Sequence, residues 1–178
     1  MTEEQEKIKE RTGWIITFLA AFLAITSLLD GGNSAQILDN TIEANNVWAF
    51  YQAKSIKQSL AEMSYDNAIR AGDKKKAEAL KAKIERYESE PEKGEGKKEL
   101  MAKARAIEEE RAVAEKRSPW YMYSNAFYQI AIVILAASML TFSRRMYWIG
   151  VGLGVFAILL MLQGAFLWLP AIPIITIS

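Results

Sequence analysis

Residues 120–169 read WYMYSNAFYQIAIVILAASMLTF-SRRM-YWIGVGLGVFAILLMLQGAFLWL, two apolar runs either side of a short polar turn. Neither run holds a charged residue, and as a helix each is long enough to cross the roughly 30 Å hydrocarbon core of a bilayer. The connection Ser143-Arg144-Arg145-Met146 (143–146) is so short that the two helices must run antiparallel. The spans are therefore 119–142 and 147–169. A third apolar run lies near the start, where 13–29 extends about 25 Å as a helix. Mean hydropathy over the whole chain is near zero, which conceals this partition. After Glu115 there is no acid, and after Arg117 the only bases are Arg144 and Arg145. Blocks of this kind place apolar surface against lipid instead of in a soluble core.

Aromatic residues mark the ends of the runs: Trp14, Trp120, Tyr121, Tyr123, Tyr147, Trp148 and Trp168, as expected at headgroup depth. Ser118 is a suitable N-cap for the second span and Pro119 suits its first helical position. The leader 1–12 is rich in Glu and no small-residue cleavage site follows the first span, so an uncleaved signal-anchor is expected. Lys7, Lys9 and Arg11 precede the first span, Arg144 and Arg145 follow the second, and residues 30–53 contain no Lys or Arg. The positive-inside rule then places the leader and the 143–146 turn in the cytoplasm. The segment between the first two spans is then expected in the periplasm or an equivalent exterior.

That segment, 30–118, balances seventeen bases against seventeen acids and is rich in strong helix formers. Gly72-Asp73 reads as a helix stop followed by a new N-cap, and Pro91-Glu92-Lys93-Gly94-Glu95-Gly96 as a second break. Helices are expected near 34–71, 74–90 and 97–117. Both ends of the segment are tied to the membrane, so its two legs must match. A tip at Ala71-Gly72-Asp73 gives legs of about 55–60 Å. The fold expected is an all-α membrane protein: three transmembrane helices with a long, coiled-coil-like helical hairpin outside the membrane between the first and second. Ile42, Asn45, Ala49, Gln52, Ile56 and Met63 form a seven-residue repeat on the ascending leg, and Ala77, Leu80, Ile84, Tyr87, Leu100, Ala104, Ile107 and Ala114 face them on the descending leg. The tail 170–178 is apolar and is expected at the membrane surface or against a partner.

The run Asn45-Asn46-Val47-Trp48-Ala49-Phe50-Tyr51-Gln52-Ala53-Lys54-Ser55-Ile56-Lys57-Gln58 resembles the signature of an uncharacterised bacterial family, domain of unknown function 4337. The resemblance covers nearly the full length. It implies a signal-anchor helix, the signature, a charged helical stretch and two closing spans, with Gln129 early in the second span and Gly150, Gly152 and Gly154 opening the third. Members often carry a His shortly before the second span, which this chain lacks, and an unbroken descending leg where this chain has Pro91 and Gly94. The family brings no established activity.

The chain has no Cys and no His. Zinc, haem, copper and iron–sulfur sites, which depend on those ligands, are not expected, and a Ser-His-Asp or Cys-His catalytic group cannot be built. No cofactor and no enzyme activity are expected. The charge balance leaves no basic footprint for nucleic acid. The working surfaces expected are two. On the signature helix, Asn45, Trp48, Phe50, Tyr51, Gln52, Lys54, Ser55 and Ile56 offer an assembly or partner surface. Trp48, Gln52 and Ser55 share one face, and Phe50, Lys54 and Lys57 another. In the spans, Gly150, Gly154 and Ala157 permit close helix approach and the amides of Gln129 and Gln163 join helices by hydrogen bonds. No span carries a charge of the kind that marks ion pathways. The expected function is a non-enzymatic membrane scaffold or accessory subunit, a homo-oligomer or part of a larger membrane complex. A homo-oligomeric channel or transport element is the alternative.

Overall fold

A computed structural model describes residues 3–168. The expectation for the tail 170–178 lies outside the described residues. Within them the chain is all-helical: α1 (Glu3–Arg70), α2 (Lys74–Glu88), α3 (Lys97–Thr141) and α4 (Arg144–Phe166). Three of the four, α1, α3 and α4, contain segments long and apolar enough to cross a membrane.

The helices are longer than their sequence signals suggest. The first span and the expected 34–71 helix are one helix, because Gly31-Gly32 does not interrupt α1. Each Gly costs about 1 kcal/mol against Ala in a helix, whereas a break strands the last carbonyls of one helix and the first amides of the next. Likewise Ser118 is not an N-cap. Pro119 lies inside α3, where it removes one backbone hydrogen bond from a helix that strong formers sustain on its N-terminal side. The turn before α4 is also shorter than the 143–146 segment expected. Phe142 takes a left-handed φ of 52°, and Ser143 caps α4, its hydroxyl accepting from the Met146 amide at 3.5 Å. Arg144 and Arg145 therefore open the helix.

At the end of α1 the expected punctuation is present. Gly72 has φ +73°, the Asp73 amide donates to the Ala68 carbonyl at 3.0 Å and the Gly72 amide to the Ile69 carbonyl at 3.1 Å. Such a left-handed residue closes a helix by satisfying its last carbonyls. The Asp73 carboxylate then accepts from the Lys76 amide at 3.0 Å, capping α2.

Two compact units divide the chain. The first comprises residues 1–37 and 113–178. Its core is Leu19, Tyr128, Ala131, Leu135 and Ala157, with Phe22, Phe127 and Val151 packed around it. Buried hydroxyls in this apolar setting need acceptors. Thr26 donates to the Phe22 carbonyl at 2.8 Å, Ser138 to Leu135 at 2.7 Å, and Ser124 across to the Ala157 carbonyl of α4 at 2.8 Å. The buried Asn33 amide donates to the Ala114 carbonyl at 2.9 Å, tying α1 to α3.

The second unit is residues 38–112. Here α1 packs on α3 through Ala44, Val47, Leu100, Ala104 and Ile107, with Trp48 and Tyr51 against them. The descending positions Ala77, Leu100, Ala104 and Ile107 are buried, and Leu80, Ile84 and Tyr87 half-buried. The ascending stripe is another matter. Ile42, Asn45, Ala49, Gln52, Ile56 and Met63 are all exposed. The inward residues are Ala44, Val47, Tyr51, Lys54, Gln58, Ala61, Tyr65 and Ala68, a heptad set two positions later. Two residues turn a helix by about 200°, so the expected seam is on the far side of α1. The inward set wins because alanines at 44, 61, 68, 77 and 104 form a seam over which backbones can approach closely, and Ile or Met there would hold them apart.

Candidate functional site

The signature run Asn45–Gln58 lies in the interior of α1, and its two faces have different occupations. Inward, the Trp48 indole N–H donates to the Glu108 carboxylate at 2.9 Å, and its ring meets Tyr51 edge-on at 5.4 Å between centroids. The Lys54 side chain is 18% exposed, with its ammonium 3.7 Å from Glu90 and 3.6 Å from Glu95 and 5.7 Å from the centre of the Tyr87 ring. Lys54 thus ties α1 to the loop around Pro91 through two carboxylates and an aromatic face. Lys97 repeats the pattern, 3.4 Å from Glu88 and 5.7 Å from the Tyr51 ring centre. Ser55 is half-buried.

Outward lie Asn45, Phe50, Gln52 and Ile56, all exposed. The grouping read from sequence is thus divided differently: Trp48 and Ser55 face inward without Gln52, and Lys54 faces inward without Phe50 or Lys57. Chemically, the inward face is largely engaged by its own chain, although the buried Gln58 Oε1 has no hydrogen-bond partner among the described residues. The outward face presents apolar side chains and the exposed amides of Asn45 and Gln52.

The break at Pro91 is a built loop. Ser89 donates its hydroxyl to Glu99 at 2.6 Å, and the Glu90 amide donates to the other Glu99 oxygen at 3.2 Å. The Ser89 hydroxyl, foremost, holds the Glu99 carboxyl below its ordinary pKa, aided by the backbone amides of Glu90 and Glu99 and by Lys98. Gly94 turns the chain with φ +67°. Sequence reading passed over Glu99, yet a signal existed: an acid at the third position of a helix can reach back to amides that precede it.

In the first unit the small residues face neighbours. A side chain at Gly150 would meet Leu135 of α3, and one at Gly154 would meet Leu19 of α1, its Cδ1 at 2.8 Å. Ala157 is fully buried and Gln163 nearly so. Gln129, grouped with them from sequence, is exposed on α3. Among the described residues no group of three acidic side chains is placed to hold a metal ion.

A family model described as "Domain of unknown function (DUF4337)" matches residues 8–167. No curated protein and no solved structure matches the chain.

Proposed function

The chain belongs to the DUF4337 family, and from that premise we propose that it is a non-enzymatic membrane scaffold or accessory subunit that works by associating with further copies of itself. The first part of α1, the second part of α3 and α4 cross a bacterial inner membrane. The unit 38–112 is an extramembrane helical hairpin on the periplasmic side. Support for this orientation comes from Lys9, Arg11, Arg144 and Arg145 near one face of the spans and from the absence of bases in 30–53. A topology reporter inserted at Gly72 should give an external signal; an internal one overturns the orientation.

One observation carries the self-association. Leu38, Ile42, Asn45, Ala49, Gln52, Ile56 and Met63 are exposed along α1 at alternating spacings that keep to one heptad phase. Leu38, Ile42, Ala49, Ile56 and Met63 give this stripe an apolar side, with Asn45, Gln52 and Ser59 between them, and a heptad surface of this kind can serve as a coiled-coil seam for a second strand. The two amides are self-complementary, since each carries both donor and acceptor, and a polar residue in such a seam fixes register. The positions beside the stripe hold only two charges between 38 and 63, Asp39 and Glu62, so little like-charge repulsion opposes the pairing. In mild detergent the native protein mass should be a multiple of 20.1 kDa. The double variant Ile42→Lys/Ile56→Lys should lower the association constant at least tenfold, because it buries like charges across the seam. A single-chain mass for the native protein, or an unchanged mass for the variant, refutes the reading.

A further inference from the structure

Asp30 and Arg117 bound the apolar runs 13–29 and 119–142 at the same end, the first just after one run and the second just before the other. There α1 and α3 run antiparallel: Asn33 donates to the Ala114 carbonyl at 2.9 Å, and the Asn125 amide to the Asp30 carboxylate at 3.4 Å. Three residues from Asn33 and from Ala114 towards the apolar runs stand Asp30 and Arg117, on facing stretches of the two helices. Both lie within electrostatic reach of the Tyr121 hydroxyl. Yet the two charges do not pair. Among the described residues Arg117 makes no ion pair, and its Nε is buried without a hydrogen-bond partner. The Trp120 indole N–H, one turn further on, is also buried without an acceptor. Trp120 and Tyr121 are held in place against Gly164 of α4, where an added Cβ would lie 3.1 Å from the Trp120 Cβ and 2.9 Å from the Tyr121 ring. Buried donors are ordinarily satisfied, so a guanidinium, an indole N–H and a facing carboxylate at one end of the spans ask for a group that completes all three.

We infer that this corner binds the headgroup of a zwitterionic phospholipid, its phosphate on Arg117 and its ammonium on Asp30. The inference rests on the membrane reading of the spans. Depth selects a lipid: Trp120, Tyr121 and Tyr123 put this level among the headgroups. Charge selects the headgroup. A guanidinium takes a phosphate by two parallel hydrogen bonds, and an indole N–H adds a third donor. A carboxylate beside them repels a purely anionic headgroup and attracts one that carries an ammonium. Asn125 donates to Oδ2 of Asp30, which leaves the other carboxylate oxygen to accept from that ammonium. The placing of the base is an independent pointer. Arg117 stands at the opposite end of the spans from Arg144 and Arg145, the end at which the base-free segment 30–53 begins. The charge rule gives no reason for a base there, and a phosphate does.

The test uses the full chain extracted in mild detergent, stripped of lipid and titrated with single phospholipids. Phosphatidylethanolamine should raise the thermal midpoint by about 3–10 °C when it exceeds its dissociation constant roughly ten- to a hundredfold. Phosphatidylglycerol, which has the phosphate without the ammonium, and phosphatidylcholine, whose ammonium has no N–H to give, should raise it clearly less. Glycerophosphoethanolamine, the headgroup without acyl chains, should do nothing at the same concentration. If it matches the lipid, the site takes a soluble phosphodiester and the inference is overturned. Arg117→Gln and Asp30→Asn should each weaken binding roughly tenfold or more, and Arg117→Lys should keep part of it. Equal shifts with all three lipids, the result if water alone bridges the two charges, overturn the inference even should a variant fail to fold. A chain that stays in solution without detergent refutes the membrane reading itself; one that needs detergent but ignores the headgroup loses only this site.

Discussion

Gly154→Leu should destabilise the unit formed by residues 1–37 and 113–178 by about 1–3 kcal/mol, the usual range for overpacking a filled core. Even a Cβ at this position meets Leu19 Cδ1 at 2.8 Å and Cδ2 at 2.9 Å, and leucine adds three further carbons. Leu19 is itself buried in the core with Tyr128, Leu135 and Ala157, so it has little room to withdraw. Gly152→Leu is the internal control: it lies two residues away on the same helix, and nothing lies within 4 Å of its Cβ position. Thermal unfolding in mild detergent should show a lower midpoint for Gly154→Leu and a near-native one for Gly152→Leu. Equal behaviour of the two would mean that α4 does not pack on α1 as described.

Trp48→Ala should cost the 38–112 unit about 3 kcal/mol, the lower end for truncating a packed aromatic. Two losses combine: the indole leaves the cluster it shares with Val47, Leu100 and Ile107, and Glu108 loses its donor. Phe50→Ala removes a comparable aromatic from the same helix, but Phe50 is 67% exposed, and exposed substitutions generally stay within about 0.5 kcal/mol. Denaturant unfolding followed by helical circular dichroism should separate the two variants clearly. If both unfold alike, the indole is not part of the unit's packing. Membrane insertion should be unaffected in both.

The three helices long and apolar enough to cross a membrane were legible because that property asks something of each residue alone, an apolar side chain over enough length. The stop at Gly72 and the cap at Asp73 were legible for a similar reason, each being a local chemical preference. The phase of the α1 seam was not. Two heptad sets run along that helix, one with Ile42, Ile56 and Met63, the other with Ala44, Val47 and Ala61. Hydrophobicity points to the first, but the intrachain contact is decided by how closely backbones can approach, which depends on the surface opposite. The same holds for Lys54, whose carboxylate partners Glu90 and Glu95 lie some forty residues away. The gap expected between 13–29 and 34–71 and the helix start expected at Pro119 misled for a third reason: a local preference of about 1–3 kcal/mol was outweighed by the continuity of a long helix.

The alanine seam has a consequence for how this chain can drift under mutation. Ala44, Ala61, Ala68, Ala77 and Ala104 are each at most 7% exposed, and each marks a place where added volume has nowhere to go. At such positions the tolerated alphabet is set by size and shrinks to alanine, glycine and serine. On the opposite face of α1, Ile42, Ile56 and Met63 are exposed within this chain, so nothing of its own backbone limits their size and any limit comes from the strand that covers them. One helix thus carries two evolutionary clocks, a slow one on the side facing its own chain and a faster one on the side facing outward. Relatives that have diverged should agree on where the alanines are long after they have ceased to agree on which large side chain stands across from them.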